Sequence, residues 1–212
     1  MGKDILFDLD GTLIDSGEGI INCALQVLEH FGLPLPSQEA MRVFVGPPLT
    51  DSFQRFGVAA DQIPEAIRVY RSHYMVTGIY ENHVYPGIPE LLEALRSRGH
   101  RLFVATSKAE FMTNQILERF DLIRYFTLIC GASTDTCRNT KESVIAYLLE
   151  QSGGLESPVM IGDTVYDVKG AAYHGISAVG VSWGYGKCED MREAGAVAII
   201  DTTEELLAYL DT

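Results

Sequence analysis

Short apolar runs that each end in small polar residues constrain the fold of this chain more than any other feature. The runs lie at residues 5–7, 102–105, 159–161, 178–181 and 196–200. None of them alternates apolar with polar residues, a pattern typical of strands buried on both faces of a parallel sheet. The sequence therefore predicts a sheet that is covered by helices on both sides.

The segments between these runs carry apolar residues at helical spacing. They lie at residues 88–95, 111–120, 144–149 and 206–210. Strands that alternate with helices form right-handed crossovers between parallel strands. We therefore predict an α/β protein with a doubly wound, Rossmann-like parallel sheet. Its functional site should lie where the carboxyl ends of the strands meet.

One long segment breaks the alternation of strands and helices. Residues 15–85 contain helical stripes at 20–31 and 63–74, separated by a turn-forming stretch at 45–49. Such a segment is typical of an insertion into the core. We predict a core made of residues 1–14 and 86–212, and an inserted α-helical cap over residues 15–85 that acts as a lid.

The charge balance limits the possible partners. The chain has 212 residues, with 16 Lys and Arg against 29 Asp and Glu, and a net charge of −13. Nucleic-acid polymers and anionic membranes are bound by clustered Lys and Arg, so the acidic excess argues against both. The four cysteines form no close pair, which is typical of thiols in a reducing cytoplasm. We expect a cytoplasmic protein, and its oligomeric state is left open.

The polar clusters bring carboxylates, hydroxyls and a lysine to the predicted strand ends. In chain order the residues are Asp8, Asp10, Thr106, Ser107, Lys141, Asp163 and Asp167. Taken singly, each has an ordinary explanation, such as an acidic turn, a helix N-cap or a solvated lysine. Asp8 and Asp10, two residues apart, point to the same side if the strand geometry continues past residue 7. Their shared placement favours a single site.

In this order, the clusters resemble the four motifs of the haloacid dehalogenase superfamily. The resemblance rests on Asp8-Leu9-Asp10-Gly11-Thr12-Leu13, on Thr106, on Lys141, and on Gly162-Asp163 with Asp167. It covers essentially the whole chain, and the helical insertion after the first motif resembles the small helical cap of that family. The resemblance implies a phosphoric monoester hydrolase that acts on a small phosphorylated metabolite.

The resemblance also implies a role for each acidic residue of the first motif. Asp8 would be the nucleophile that attacks phosphorus and forms an aspartyl-phosphate. Asp10 would protonate the leaving alcohol and later take a proton from water. A halide leaves without a proton, so an acid at position 10 favours phosphoester hydrolysis over dehalogenation.

The remaining motif residues are implied to bind metal and phosphate. Mg²⁺ would bind Asp8, the main-chain carbonyl of Asp10, and Asp163, with Asp167 as a further acidic partner of the metal site. Lys141 would neutralise charge on the nucleophile and the phosphate. The remaining phosphate oxygens would be bound by Thr106 and nearby N–H donors.

The third motif departs from the family pattern at one position. Relatives often have proline after the motif lysine, whereas Glu142 follows Lys141 here. Lys108, close to Thr106 and Ser107, is therefore a rival phosphate-binding lysine. We favour Lys141, because it lies about twenty residues before Asp163, as the family order requires.

The substrate is less constrained than the chemistry. The chain resembles the phosphoglycolate phosphatase-like and small nucleotidase-like members, and we expect phosphoglycolate phosphatase-like activity, with 5′-nucleotidase and then sugar phosphomutase activity as alternatives. Arg42 and Gly46 are the cap residues that we expect to face the substrate, although Arg42 is equally explained as a solvated helix residue. From another class, a phosphoacceptor signalling module also uses a strand-end Asp, a hydroxyl, a Lys and a metal, but it lacks an inserted cap.

Overall fold

The computed structural model describes residues 2–135 and 137–211. Met1, Thr136 and Thr212, which fall in the predicted core unit, lie outside the described residues. The strands are β1 (Asp4–Phe7), β2 (Ile14–Asp15), β3 (His83–Val84), β4 (Arg101–Ala109), β5 (Leu128–Ala132), β6 (Val159–Gly162), β7 (Ser177–Val181) and β8 (Ala198–Ile200). Six of them form a sheet in the order β5-β4-β1-β6-β7-β8, and every pairing in it is parallel. The predicted doubly wound α/β fold is confirmed.

Helices cover both faces of this sheet. In the core they are α5 (Ile88–Ser97), α6 (Glu110–Arg119), α7 (Lys141–Ser152), α8 (Val165–Tyr173), α9 (Cys188–Glu193) and α10 (Thr203–Leu210). Ile5 and Phe7 of β1 belong to one apolar cluster, with residues of α5 and α10. Leu6 belongs to a second cluster, with residues of α7 and α8. Successive side chains of a strand point to opposite faces, which explains why β1 has no polar residue in its centre.

The strand β5 was not among the predicted apolar runs. It lies at the edge of the sheet, and Leu128 and Ile129 are only half-buried. An edge strand needs fewer buried residues than a central one, so its apolar signal is short. The five predicted apolar runs correspond to β1, β4, β6, β7 and β8.

A helical unit is inserted between β2 and β3. Its helices are α1 (Gly17–His30), α2 (Gln38–Met41), α3 (Leu49–Arg55) and α4 (Ile63–Val76), with single 3-10 turns at Arg42–Phe44, Ala60–Gln62 and Gly78–Tyr80. Ring contacts between Phe44, Phe53 and Tyr70 form its centre. At its base β2 and β3 pair antiparallel. We propose that this ribbon is the hinge of a cap that extends over residues 15–85.

No helix in the described ranges is both long enough and apolar enough to cross a membrane.

Candidate active site

Asp8 lies at the carboxyl edge of the sheet, directly after the central strand β1. Phe7 pairs with Val104 of β4 on one side and with Ile161 of β6 on the other. The residues that follow all three strands therefore meet at one edge. Asp8 is buried, and its Oδ1 accepts a hydrogen bond of 2.8 Å from the Leu9 N–H.

Lys141 reaches this edge from the first turn of α7. Thr140 and Ser143 form a capping box that fixes the start of the helix. The Lys141 stem passes Gly170 of α8, where an added Cβ would lie 2.5 Å from Lys141 Cγ. The ammonium group lies 2.8 Å from Asp8 Oδ1 and 2.7 Å from Asp167 Oδ1, and it donates to the Ala105 carbonyl at 2.9 Å. The structure thus places Lys141, and not Lys108, against Asp8.

Asp8, Asp163 and Asp167 form a buried carboxylate cluster. One oxygen from each lies within 4.8 Å of the others. Burial raises the pKa of Asp8 to about 6, with Lys141 opposing the shift. Burial also raises the pKa of Asp163 well above its usual range, and the charges of Asp167 and Asp8 raise it further. Both shifts have burial as their largest cause, and the neighbouring carboxylates, which the single ammonium of Lys141 does not balance, add to it.

Asp167 is held by the protein through both carboxylate oxygens. Its Oδ2 accepts hydrogen bonds from the Thr164 N–H at 2.9 Å and the Thr164 hydroxyl at 2.8 Å, and these bonds cap α8. Its Oδ1 faces Lys141. Gly162 leaves room for this carboxylate, since an added Cβ would lie 2.2 Å from Asp167 Cγ. Asp167 therefore orients Lys141 and fixes the loop that carries Asp163.

Asp10 pairs with Lys108 on the cap side of Asp8. Lys108 Nζ lies 3.0 Å from each carboxylate oxygen of Asp10. The same ammonium lies 4.3 Å from the ring centroid of Tyr74, which belongs to α4 of the cap. Burial lowers the pKa of Lys108, but Asp10 and Tyr74 raise it more, and the net direction is upward. Lys108 therefore connects Asp10 with Tyr74 of the cap.

Thr106 and Ser107 lie on β4 itself, which extends to Ala109 instead of giving way to a helix after residue 105. Neither residue therefore caps a helix. The β4–β5 register shifts between Ala105 and Ala109, so the stretch that carries both residues is an irregular part of the strand pair. Both residues line the same cleft as Asp8, Asp10 and Lys108.

The cleft between core and cap has a cavity volume of about 90 Å³, below the roughly 300–1,000 Å³ that is usual for sites of drug-sized ligands. Apolar and aromatic side chains dominate its cap wall, namely Ile20, Phe44, Val45, Pro47, Pro48, Leu49, Ile67, Tyr70 and Tyr74. Polar groups therefore concentrate at the core side, where Asp8 and Asp10 lie.

Gly46 lines this cleft, whereas Arg42 does not. Gly46 has a φ of +107°, and an added Cβ would lie 2.8 Å from Thr164 Cγ2, so the cap touches the core there. Arg42 lies over the ring of Tyr185, 5.7 Å from its centroid, and lines a separate cavity. The single turn Arg42–Phe44 points Phe44 into the cap core and Arg42 away from it. Arg71 of α4 supplies the cap guanidinium in the cleft and donates to the Thr134 carbonyl at 3.2 Å.

Two residues outside the recognised motifs bind this site from the loop after β7. Tyr185 N–H donates to Asp163 Oδ2 at 2.8 Å, and Trp183 Nε1 donates to the Thr12 carbonyl at 3.0 Å. Neither residue was predicted from the sequence. The available signal was a cluster of small and aromatic residues at 182–186, directly after the apolar run at 178–181, which is the position where the other runs carry their polar clusters.

Replacing Gly46 by alanine is expected to lower kcat/KM about tenfold or more, because the added methyl separates the cap from Thr164. Gly57→Ala is the matched control. Gly57 also lies in the cap with a positive φ of +93°, but its added Cβ meets only Leu33 Cδ2, at 3.8 Å. Both variants should lose about 1–2 kcal/mol of unfolding free energy from the backbone conformation, whereas only Gly46→Ala should lose activity. Equal kinetics in the two variants would contradict this contact.

Comparison with known proteins places the chain in a family. The model of the haloacid dehalogenase-like hydrolases matches residues 5–181, a range that includes Asp8, Asp10, Thr106, Lys141, Asp163 and Asp167. The chain belongs to this family. It has the parallel α/β sheet expected for this family.

Similar proteins include enzymes with different substrates. A 5′-nucleotidase from Pseudomonas aeruginosa is 42% identical over 89% of this chain and 86% of its own length. The tyrosine-protein kinase PtkA from Mycobacterium tuberculosis is 42% identical over 95% of this chain and 70% of its own length. A phosphoglycolate phosphatase from Aquifex aeolicus is 32% identical over 86% of each chain.

A crystal structure of a predicted phosphatase from Clostridium acetobutylicum superposes with a TM-score of 0.95. It is 39% identical, and the match covers 99% of both chains. Together with the family model, this match confirms the predicted haloacid dehalogenase-like α/β fold. With the phosphatase relatives, it shows that the protein is a phosphoric monoester hydrolase.

Proposed function

We propose that the protein is a Mg²⁺-dependent phosphatase of small phosphomonoesters that works through an aspartyl-phosphate on Asp8. The observation that carries this proposal is the contact of Asp8 with Lys141 inside a buried carboxylate cluster. A nucleophile facing a phosphate dianion needs nearby positive charge, and Lys141 supplies it at 2.8 Å. Asp10 then lies two residues away, with its carboxylate at the cleft.

The donor set fits Mg²⁺. When all three are ionised, Asp8, Asp163 and Asp167 contribute three negative charges against the single ammonium of Lys141, which leaves a net charge of two negative in a buried cluster. A divalent cation with oxygen ligands neutralises this charge. We assign Asp8, Asp163 and the main-chain carbonyl of Asp10 as the protein ligands. Asp167 acts mainly through Lys141, because both of its oxygens already have protein partners. When bound, Mg²⁺ polarises the phosphoryl group and reduces its repulsion from Asp8.

The chain's own residues account for both proton transfers. An Asp8 carboxylate oxygen attacks phosphorus, the bond from phosphorus to the ester oxygen breaks, and Asp10 gives its proton to that oxygen. Water then attacks the aspartyl-phosphate, Asp10 takes a proton from it, and inorganic phosphate leaves Asp8. Lys141 and Thr106 bind the phosphoryl oxygens in both steps. Lys108 keeps the Asp10 side chain in position during both steps.

The kinetics of Asp10→Asn test whether the reaction uses Asp10 as a general acid. Activity on an alkyl phosphate is expected to fall about 10²- to 10⁴-fold, the usual range for a lost proton transfer. Cleavage of p-nitrophenyl phosphate should fall much less in the first step, because nitrophenolate leaves without a proton. The measurement is the rate of product formation before steady state, with both substrates and saturating Mg²⁺. Equal losses on the two substrates would contradict the assigned role.

The cap wall favours a substrate with an apolar or aromatic group beyond the phosphate. Tyr70, Tyr74 and Phe44 line the cleft together with aliphatic residues, a surface suited to a nucleoside. Phosphoglycolate carries a carboxylate there instead and gains little from such a wall. We therefore place nucleoside 5′-monophosphates ahead of phosphoglycolate. The test compares kcat/KM for both, and a higher value for phosphoglycolate would reverse the order.

Arg71 is the observation that favours phosphoglycolate as the second candidate. Its guanidinium is half-buried in the cleft, where burial lowers its pKa from the ordinary value. A substrate carboxylate at that position would pair with it. If phosphoglycolate is the substrate, Arg71→Ala will raise its KM strongly and leave that of a nucleotide nearly unchanged. Arg55→Ala, in the exposed last turn of α3, is the matched control.

A sugar phosphomutase and a phosphoacceptor signalling module both fit this site less well than a phosphatase does. A mutase returns the phosphoryl group to a sugar hydroxyl and so needs a polar cap wall, whereas apolar side chains dominate the wall here. A signalling module has no use for a leaving-group acid such as Asp10. For the compartment, the four cysteines are free thiols, which supports the reducing cytoplasm.

A further inference from the structure

The loop that follows β7 contacts the base of the cap as well as the carboxylate cluster. It runs over residues 182–187, between β7 and α9. Its Trp183 binds the Thr12 carbonyl, and its Tyr185 reaches the first residues of the cap. No residue of this loop belongs to the four recognised motifs.

The hydroxyl of Tyr185 makes three hydrogen bonds at the start of the cap. It donates to Asp15 Oδ1 and accepts from the Ser16 N–H at 3.0 Å and the Gly17 N–H at 2.6 Å. One donor and two acceptor positions are all that a phenol offers. Burial and the bond to Asp15 raise the pKa of Tyr185 above its ordinary value, so the hydroxyl remains a donor. These partners lie at the end of β2 and the first turn of α1.

Close packing at Gly17 shows that the fit is specific. A Cβ added to Gly17 would lie 2.8 Å from the Tyr185 hydroxyl oxygen. Only a residue without a side chain allows the hydroxyl to approach both backbone N–H groups. The contact lies beside β2, and β2 pairs with β3. It is therefore linked to both chain segments that connect the core with the cap.

The backbone of the same residue holds Asp163. Tyr185 N–H donates to Asp163 Oδ2 at 2.8 Å. Its two neighbours pack closely against Asp163, because an added Cβ would lie 2.3 Å from Asp163 Oδ2 at Gly184 and 2.0 Å from the Asp163 carbonyl oxygen at Gly186. The loop therefore packs closely around Asp163. Tyr185 connects the Asp163 carboxylate with the first turn of the cap.

We propose that Tyr185 is a positioning residue that couples the hinge of the cap to the metal-binding state of Asp163. The inference rests on the proposed function, in which Asp163 is a ligand of Mg²⁺. A change in the position of Asp163 moves the Tyr185 backbone, and the rigid phenol ring carries this movement to Ser16 and Gly17. Cap closure and metal binding then favour each other, as linked equilibria require.

Residue-resolved amide exchange tests this coupling without any turnover. Exchange at positions 16, 17 and 185 is measured in the full chain with and without Mg²⁺, in the wild type and in Tyr185→Phe. The variant keeps the ring and the N–H to Asp163 but loses the three hydroxyl contacts. Tyr147→Phe, which removes a hydroxyl from a core tyrosine under Arg138, is the matched control.

In the wild type we expect Mg²⁺ to slow exchange at Ser16 and Gly17 about fivefold or more. In Tyr185→Phe their exchange should be roughly two- to tenfold faster, as expected for lost hydrogen bonds, and Mg²⁺ should no longer affect it. The amide at position 185 should respond to Mg²⁺ in both proteins. Gly17→Ala, whose added Cβ would lie 2.8 Å from the Tyr185 hydroxyl oxygen and push it away from both amides, should reproduce the effect if Tyr185→Phe does not fold.

The possible failures are distinguishable. If Mg²⁺ changes exchange at position 185 but not at Ser16 and Gly17 in the wild type, the coupling is refuted and the metal site stands. If none of the three amides responds to saturating Mg²⁺, Asp163 is not a metal ligand, and the proposed function fails with it. A loss of the Mg²⁺ effect in Tyr147→Phe as well would assign the change to general loosening, against our proposal.

Discussion

Asp8→Asn is expected to lower kcat by about 10⁴-fold or more on every phosphate ester, because the amide cannot form the covalent intermediate. The metal-free variant should nevertheless be more stable than the wild type near neutral pH. Burial raises the pKa of Asp8 to about 6, from 3.8, so the ionised carboxylate destabilises the folded state above that pH. A neutral amide of the same shape removes this cost. Stability and activity thus change in opposite directions, as expected for a functional carboxylate.

The control for Asp8→Asn is Asp4→Asn, at the opposite end of β1. Asp4 accepts from Arg101 and from the Glu156 N–H, far from the cleft, so its loss should lower stability and leave kcat nearly unchanged. The measurements are steady-state kinetics with Mg²⁺ and thermal unfolding without it. An Asp8→Asn protein that keeps more than about a tenth of the wild-type kcat would exclude Asp8 as the nucleophile.

Lys141→Met should have the second largest effect. The ammonium is buried and contacts Asp8, Asp167 and the Ala105 carbonyl. Its removal leaves buried carboxylates without their cation, which costs about 3–5 kcal/mol of unfolding free energy. We expect kcat to fall by about 10³-fold or more, since the charge that faces the phosphoryl group is lost. Saturating Mg²⁺ should restore part of the stability and little of the activity.

Lys108→Met is the matched comparison for Lys141→Met. Lys108 contacts Asp10 and Tyr74, so its loss should impair leaving-group protonation more than phosphoryl binding. Alkyl phosphates should therefore be affected more than p-nitrophenyl phosphate. If Lys108→Met abolished turnover of both substrates while Lys141→Met retained it, the two lysines would have to exchange roles.

The sequence predicted the sheet and the core of the site because both depend on local patterns. Apolar runs revealed buried strands, and their carboxyl ends carried Asp8, Thr106 and Asp163. The contact between Lys141 and Asp8 depends on how two helices and three strands pack in the folded chain. The order of the family motifs indicated this contact, but the spacing of the residues alone did not. The edge strand β5 carried too short an apolar signal.

The cap side of the site was predicted less well because it depends on tertiary orientation. Arg42 and Arg71 are both arginines on helical turns of the cap, and no local pattern shows which one faces the cleft. Tyr185 contacts Asp15 across a large separation in sequence. Its role depends on where the loop after β7 lies relative to β2, which only the folded chain defines.

Trapping the covalent intermediate tests the central claim most directly. Asp10→Asn protein is mixed with Mg²⁺ and p-nitrophenyl phosphate, quenched in acid within the first turnover, digested and analysed by mass spectrometry. We predict that the peptide containing Asp8 gains the mass of one phosphoryl group, and that Asp8→Asn protein shows no such gain. A phosphoryl group on any other residue, or none while nitrophenolate is released at the burst rate, would contradict the account.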